Sequence, residues 1–124
     1  MSRVILIEED SMLRSTLTRI MVNRSYSVRA AWSTPEALEA LVHVLRPGDV
    51  IVVDIERASK TPEYILNWLG RYVKDTPILI LSTWAPCAEH IKPHWRVLLK
   101  PFGVSLLLES LEELQKVRAD VSIH

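Results

Sequence analysis

Short, continuous apolar runs alternate along the chain with longer segments in which apolar residues recur every three or four positions. The runs VILI at 4–7, VIVV at 50–53 and ILIL at 78–81 read as strands covered on both faces, which is how parallel strands are buried. Strands are expected at about 3–7, 27–32, 49–55, 78–81 and 97–99. The second contains Arg29 and suits a half-exposed edge. A first helix at 11–23 places Met12, Leu17, Ile20 and Met21 at near-helical spacing, with Leu13 and Val22 blurring the stripe. In Ser33-Thr34-Pro35-Glu36 a hydroxyl cap precedes a proline at the first helical position, and Ala37, Leu38, Leu41, Val42 and Leu45 follow up to Pro47-Gly48. Thr61-Pro62-Glu63 repeats the device ahead of Ile65, Leu66, Trp68, Leu69 and Val73. Pro86 and Pro93 leave room for only a short helix between the last two strands. From about Ser105, Leu107, Leu108, Leu111, Leu114 and Val117 form an amphipathic tail helix. Five such strand-helix pairs predict an α/β fold of three layers, a doubly wound five-stranded parallel sheet between helices.

Length and charge narrow the picture. The chain of 124 residues is expected to form one domain over 1–124, and its 48% hydrophobic and 24% charged residues are globular values. Fifteen basic residues balance fifteen acidic ones, so the footprint of a direct nucleic-acid binder is missing. Cys87 is alone, which rules out an internal disulfide and reads as a small apolar side chain. No apolar run approaches the roughly 18 residues of a membrane span. A signal-peptide pattern is absent, and the expectation is a cytoplasmic protein without membrane contact. Trp68 falls on a helical apolar face and is expected in the core, while Trp84 and Trp95 either form a contact patch or fill space. His43, His90, His94 and His124 lack metal-site spacing.

The chemistry-bearing residues fall where such a sheet binds ligands, beyond the carboxyl ends of its strands. Glu8, Glu9 and Asp10 follow strand one, Asp54 ends strand three, Ser82 and Thr83 follow strand four, and Lys100 follows strand five. Two carboxylates about 4 Å apart at an effective dielectric near 20 repel by roughly 4 kcal/mol. Lys100 offsets part of that, and the remainder suits a hard divalent cation such as Mg²⁺. A carboxylate nucleophile in such a cleft can take a phosphoryl group as an acyl phosphate. Asp54 is the candidate, because it leaves an apolar strand singly. Asp10 suits a helix start.

These residues resemble the receiver domain of two-component response regulators: the acidic cluster after VILI, the single Asp after VIVV, the hydroxyl after ILIL, and Lys-Pro-Phe after VLL. The segment SYSVRAAWSTPEAL resembles the family's second strand and second helix start. The resemblance implies a flavodoxin-like (βα)5 fold with strand order 2-1-3-4-5. It implies Asp54 as phosphoacceptor and Mg²⁺ held by Glu9, Asp54, Glu8 and the backbone of Glu56. Ser82, Thr83 and Lys100 would form the phosphate-binding and switch positions, with a cis bond between Lys100 and Pro101. The donor would be a histidine kinase or phosphotransfer protein, the readout an unidentified output protein or a homodimer, and no external substrate would be turned over.

The chain also departs from the family pattern. Glu8-Glu9 replaces a pair that includes at least one Asp, IERASKTP replaces the usual Met-Pro and glycine after the acceptor, Thr83 is larger than the usual Ala or Gly, and Val97 replaces an aromatic switch residue. The stretch from Ser82 to Lys100 is shorter than usual by about a helical turn (~4 residues). These departures keep a second expectation open, a degenerate receiver acting as a protein-interaction module without phosphorylation. A small α/β enzyme using the same acidic cleft is a third, disfavoured by the lack of an evident substrate-binding insertion.

Overall fold

The computed structural model describes residues 3–56, 60–73, 75–86 and 88–123, with side chains of 88 and 117–123 excluded. Cys87, His124 and the side chain of Val117, for which readings were given above, lie outside the described residues, as does the 57–59 part of the IERASKTP loop. The chain runs β1 (Arg3–Ile7), α1 (Ser11–Asn23), β2 (Ser27–Ala31), α2 (Pro35–Val44), β3 (Val50–Asp54), α3 (Pro62–Tyr72), β4 (Ile78–Ser82), β5 (Trp95–Leu99) and α4 (Val104–Ile123). The strands form one parallel sheet in the order β2-β1-β3-β4-β5, the flavodoxin-like order.

The caps explain where the helices begin. Asp10, Thr34 and Thr61 each accept a backbone N–H three residues on, at 3.0, 3.3 and 3.2 Å, and Pro35 and Pro62 open their helices. Gly48, at φ 93°, makes the turn into β3 in a conformation that L residues rarely adopt.

Pleating sends alternate strand residues to opposite faces. Ile5, Ile7, Ile51, Val53, Ile78, Ile80 and Trp95 pack with α2 and α3 on one side. Val4, Leu6, Val50, Val52, Leu79, Leu81 and Leu98 pack with α1 and α4 on the other. β1, β3 and β4 are almost wholly buried, which is why their sequences are continuously apolar, whereas β2 is the exposed edge that Arg29 suggested.

Four expectations need correction. The fourth connection holds no α-helix, only a single 3-10 turn at Ala88–His90, so the described residues give four α-helices rather than five. β5 starts two residues earlier than the pattern indicated, because Trp95 turns into the α3-side core, where it is 4% exposed. Gly70 on α3 faces this indole, and a Cβ there would meet it at an ordinary contact distance of 3.7 Å while crowding the Lys92 side chain at 3.2 Å. Met12 is 81% exposed, since it lies about 140° around α1 from buried Leu17. Val42 likewise sits outside the α2 stripe that Leu38 and Leu41 bury. Trp68 is partly buried against the core, with its ring tilted 40° to that of Tyr72 and the centroids 5.1 Å apart.

At the amino end of the sheet Arg3 holds Asp49 with two bonds, Nε to Oδ1 at 3.1 Å and an Nη to Oδ2 at 2.7 Å, and the same nitrogen donates to the Val44 carbonyl at 2.8 Å. Replacing Arg3 with Met leaves Asp49 buried without its guanidinium, and the expected loss is about 3 kcal/mol. The same change at Arg96, whose partner Glu113 is half exposed, is expected to cost less than about 1 kcal/mol. Urea unfolding midpoints of the two variants check this difference.

Candidate functional site

β1 and β3 pair in register with Ile7 opposite Val53, so Glu8 and Asp54 continue the two strands side by side. Both share the parity of Leu6 and Val52 and project toward the α1 and α4 side. Across β4, Ser82 pairs with Leu99 and its carbonyl accepts the Lys100 N–H at 2.8 Å, which fixes the start of the turn carrying Lys100. The Lys100-Pro101 bond is cis. Lys100 Nζ reaches Asp54 Oδ2 at 2.7 Å, and Asp54 Oδ1 accepts the Glu56 N–H at 3.0 Å.

Glu8 and Asp54 are both almost completely buried, and one ammonium cannot neutralise two carboxylates. Burial, followed by the hydrogen bond with Asp54 and its charge, pushes the Glu8 carboxyl up to about 8. Burial also pushes Asp54 upward, but hydrogen bonds from Glu8, Lys100 and the Glu56 N–H outweigh it and hold Asp54 below its ordinary value. The opposite shifts make the two carboxyl groups share one proton, held preferentially on the Glu8 side. Glu8 Oε2 is buried with no donor opposite it. Protonation turns this carboxyl into a donor toward Asp54, while its Oε1 accepts the Asp10 N–H at 3.1 Å. Arg14 supports the same turn by donating to the Glu8 carbonyl at 3.0 Å while its guanidinium lies 4.6 Å over the Trp32 ring.

The remaining expected site residues take other partners. Glu9 turns toward α2, where its Oε1 accepts from Ser33 Oγ at 2.7 Å and from Ser33 N–H at 3.1 Å. Among the described residues no three acidic, His or Cys side chains converge as a metal-binding group. Glu8 and Asp54 remain as two neighbouring carboxyl groups that would hold a hydrated Mg²⁺, an ion commonly bound by one or two carboxylates with waters completing its shell, while Ser33 holds Glu9 to one side. Ser82 has the opposite parity to Asp54. Its hydroxyl closes a local turn, donating to the Trp84 carbonyl at 2.7 Å and accepting the Trp84 N–H at 3.1 Å. Glu56, expected to act through its backbone, instead uses its side chain: Oε1 accepts the Thr83 N–H at 2.6 Å, Oε2 accepts the Thr83 hydroxyl, and Lys100 lies 3.5 Å away. Those hydrogen bonds, the Thr83 hydroxyl foremost, hold the Glu56 carboxyl below its ordinary value. Glu56, Ser33 and Arg14 are the members of this cluster whose side chains were not singled out from the sequence. The only available signal for Glu56 was an acidic residue two places after Asp54 in a segment lacking the family's glycine.

The parallel sheet in this order superposes on many solved receiver domains. The fold is that of a response-regulator receiver domain. A receiver domain protein from Methanospirillum hungatei superposes with a TM-score of 0.81 at 14% identity, covering 97% of this chain and 98% of its own. A response regulator receiver protein from Sinorhizobium medicae gives 0.77 at 22% identity, over 94% and 96%. A structure representing a family of streptococcal redox sensors that evolved from two-component response regulators gives 0.79 at 18% identity, over 100% of this chain and 55% of that one. No protein-family model and no curated protein matches the sequence. Among the described residues of this receiver fold, no helix is long and apolar enough to cross a membrane.

The shared proton has a measurable consequence. Glu8 titrates higher in the folded protein than its ordinary 4.5, so its stabilising contribution is complete below about 4.5 and is lost as pH rises through about 8. Asp54 is depressed, so its contribution is lost only in acid, below its ordinary 3.8 and outside that window. Unfolding free energy is expected to fall with rising pH across this window through Glu8, and Glu8→Gln should flatten this slope. Denaturant titrations of the two proteins at a series of pH values test it.

Proposed function

We propose that the chain is a phosphate-responsive signalling domain in which Asp54 accepts a phosphoryl group from a phosphohistidine on a kinase or phosphotransfer protein. The observation that carries this reading is the buried Asp54 carboxyl group bound to Lys100 at 2.7 Å at the carboxyl end of the sheet. An Asp54 oxygen attacks phosphorus, the P–O bond forms as the donor's P–N bond breaks, and the leaving imidazole recovers a proton from solvent. Lys100 stays beside the transferring oxygens and offsets their charge. The acyl phosphate then alters the turn built by Ser82, Thr83 and Trp84. Trp84 is 40% exposed there and supplies part of the surface that a partner would read. On this reading the protein turns over no external metabolite.

A second reading, an interaction module that works without phosphorylation, is favoured by Glu9 facing Ser33 and by the Ser82 hydroxyl closing its own turn. Neither side chain is directed at an incoming phosphoryl group by these bonds.

Incubation with acetyl phosphate and Mg²⁺, followed by intact-mass measurement, separates the two. The wild type is expected to gain one phosphoryl group, Asp54→Asn none, and Lys100→Ala to react at least about tenfold more slowly, the scale of one lost charge-assisted contact. Absence of any gain in the wild type would establish the second reading instead.

A further inference from the structure

Resting on the reading of Asp54 as phosphoacceptor, we infer that the Glu56 carboxylate is a built-in occupant of the phosphoryl site: it holds the donors a phosphoryl group on Asp54 would use and so gates phosphorylation.

A phosphoryl group attached to Asp54 needs cationic and N–H or O–H donors around its oxygens. With the Glu56 N–H already on Asp54, the further donors at this end of the sheet are the Lys100 ammonium, which touches Asp54, and the Thr83 N–H and hydroxyl from the turn after β4. All three converge on Glu56: the N–H at 2.6 Å on one carboxylate oxygen, the hydroxyl on the other, and the ammonium 3.5 Å from the first. Lys100 is thereby shared between Asp54 at 2.7 Å and Glu56, so the two carboxylates flank one cation. This differs from an ordinary surface ion pair, which rests on one flexible contact and is worth little. Here the two oxygens of a planar anion are matched by two donors of a single residue, a forked arrangement that also suits two oxygens of a phosphoryl group.

The geometry makes Glu56 removable. Its side chain is about a quarter exposed, and its N–H, bonded to Asp54, anchors the backbone while the carboxylate turns out to solvent. An incoming phosphodonor must displace that carboxylate and overcome its charge. After transfer, the phosphoryl oxygens take over Thr83 and Lys100, and the released Glu56 carries its negative charge into solvent beside the Ser82–Trp84 turn. The device therefore opposes phosphorylation in the resting state while keeping Thr83 close to its modified position.

Time courses of acetyl phosphate modification, read by intact mass, test this for the wild type, Glu56→Gln, Glu56→Ala and Glu63→Gln. Glu63, in the exposed first turn of α3, controls for net charge. Both Glu56 variants should be modified faster, Glu56→Ala by about tenfold, while Glu63→Gln matches the wild type. Thermal unfolding followed by circular dichroism confirms that each variant is folded. Equal or slower rates in the Glu56 variants, or equal acceleration in Glu63→Gln, overturn the gate while leaving Asp54 as acceptor. Failure of every protein to gain mass overturns the acceptor reading and the gate with it.

Discussion

The bond between Lys100 and Asp54 is the constraint around which the carboxyl end of this sheet is organised. It joins the end of β3 to the turn after β5, spanning β4, and permits a carboxylate to remain ionised at a position almost closed to water. Register sets the meeting. Parallel pairing aligns the ends of β1, β3, β4 and β5, and strand parity puts Glu8, Asp54 and Lys100 on the same side. A one-residue slip of any of these strands would send its polar end to the opposite face.

Because one ammonium serves this cleft, the surplus charge must be handled in other ways. Glu8 takes a proton, Glu9 turns to the Ser33 hydroxyl, and Glu56 draws on Thr83 and the far side of Lys100. Each solution follows from burial. Glu8 is fully enclosed and is the group neutralised, whereas Glu56 reaches solvent and stays charged. The same division gives the cleft its proposed behaviour, with a deeply held nucleophile and a displaceable carboxylate above it.

Much of the fold was legible because local and global signals agree. VILI, VIVV and ILIL are continuously apolar because their strands are covered on both faces, and Thr34-Pro35 and Thr61-Pro62 mark helix starts by chemistry that operates within a few residues. Asp54, Glu8 and Lys100 could be placed at strand ends from the sequence, and the strand order that brings them together followed from the family resemblance. What escaped depended on tertiary surroundings. Trp95 joins β5 because the shortened fourth connection leaves room against α3, and Arg96 beside it interrupts the apolar pattern that would have revealed the strand. Glu9 carries the family's position but its direction is set by a hydroxyl 24 residues away. Ser82 was correctly placed at the strand end, yet its parity and the turn at Trp84 decide where its hydroxyl points. For Glu56 the resemblance drew attention to the backbone, and the side chain became visible only once the Thr83 turn was in place.

The electrostatics of the cleft turn on one shared proton, held on the Glu8 side so that Asp54 stays ionised beside Lys100. Carboxyl-carbon NMR titration of the protein labelled at Glu and Asp side chains measures it directly, with Glu8→Gln and Asp54→Asn assigning the signals. The prediction is that Glu8 titrates near 8 while Asp54 remains ionised to below its ordinary 3.8. A Glu8 signal titrating near 4.5, in the ordinary range, would contradict the account.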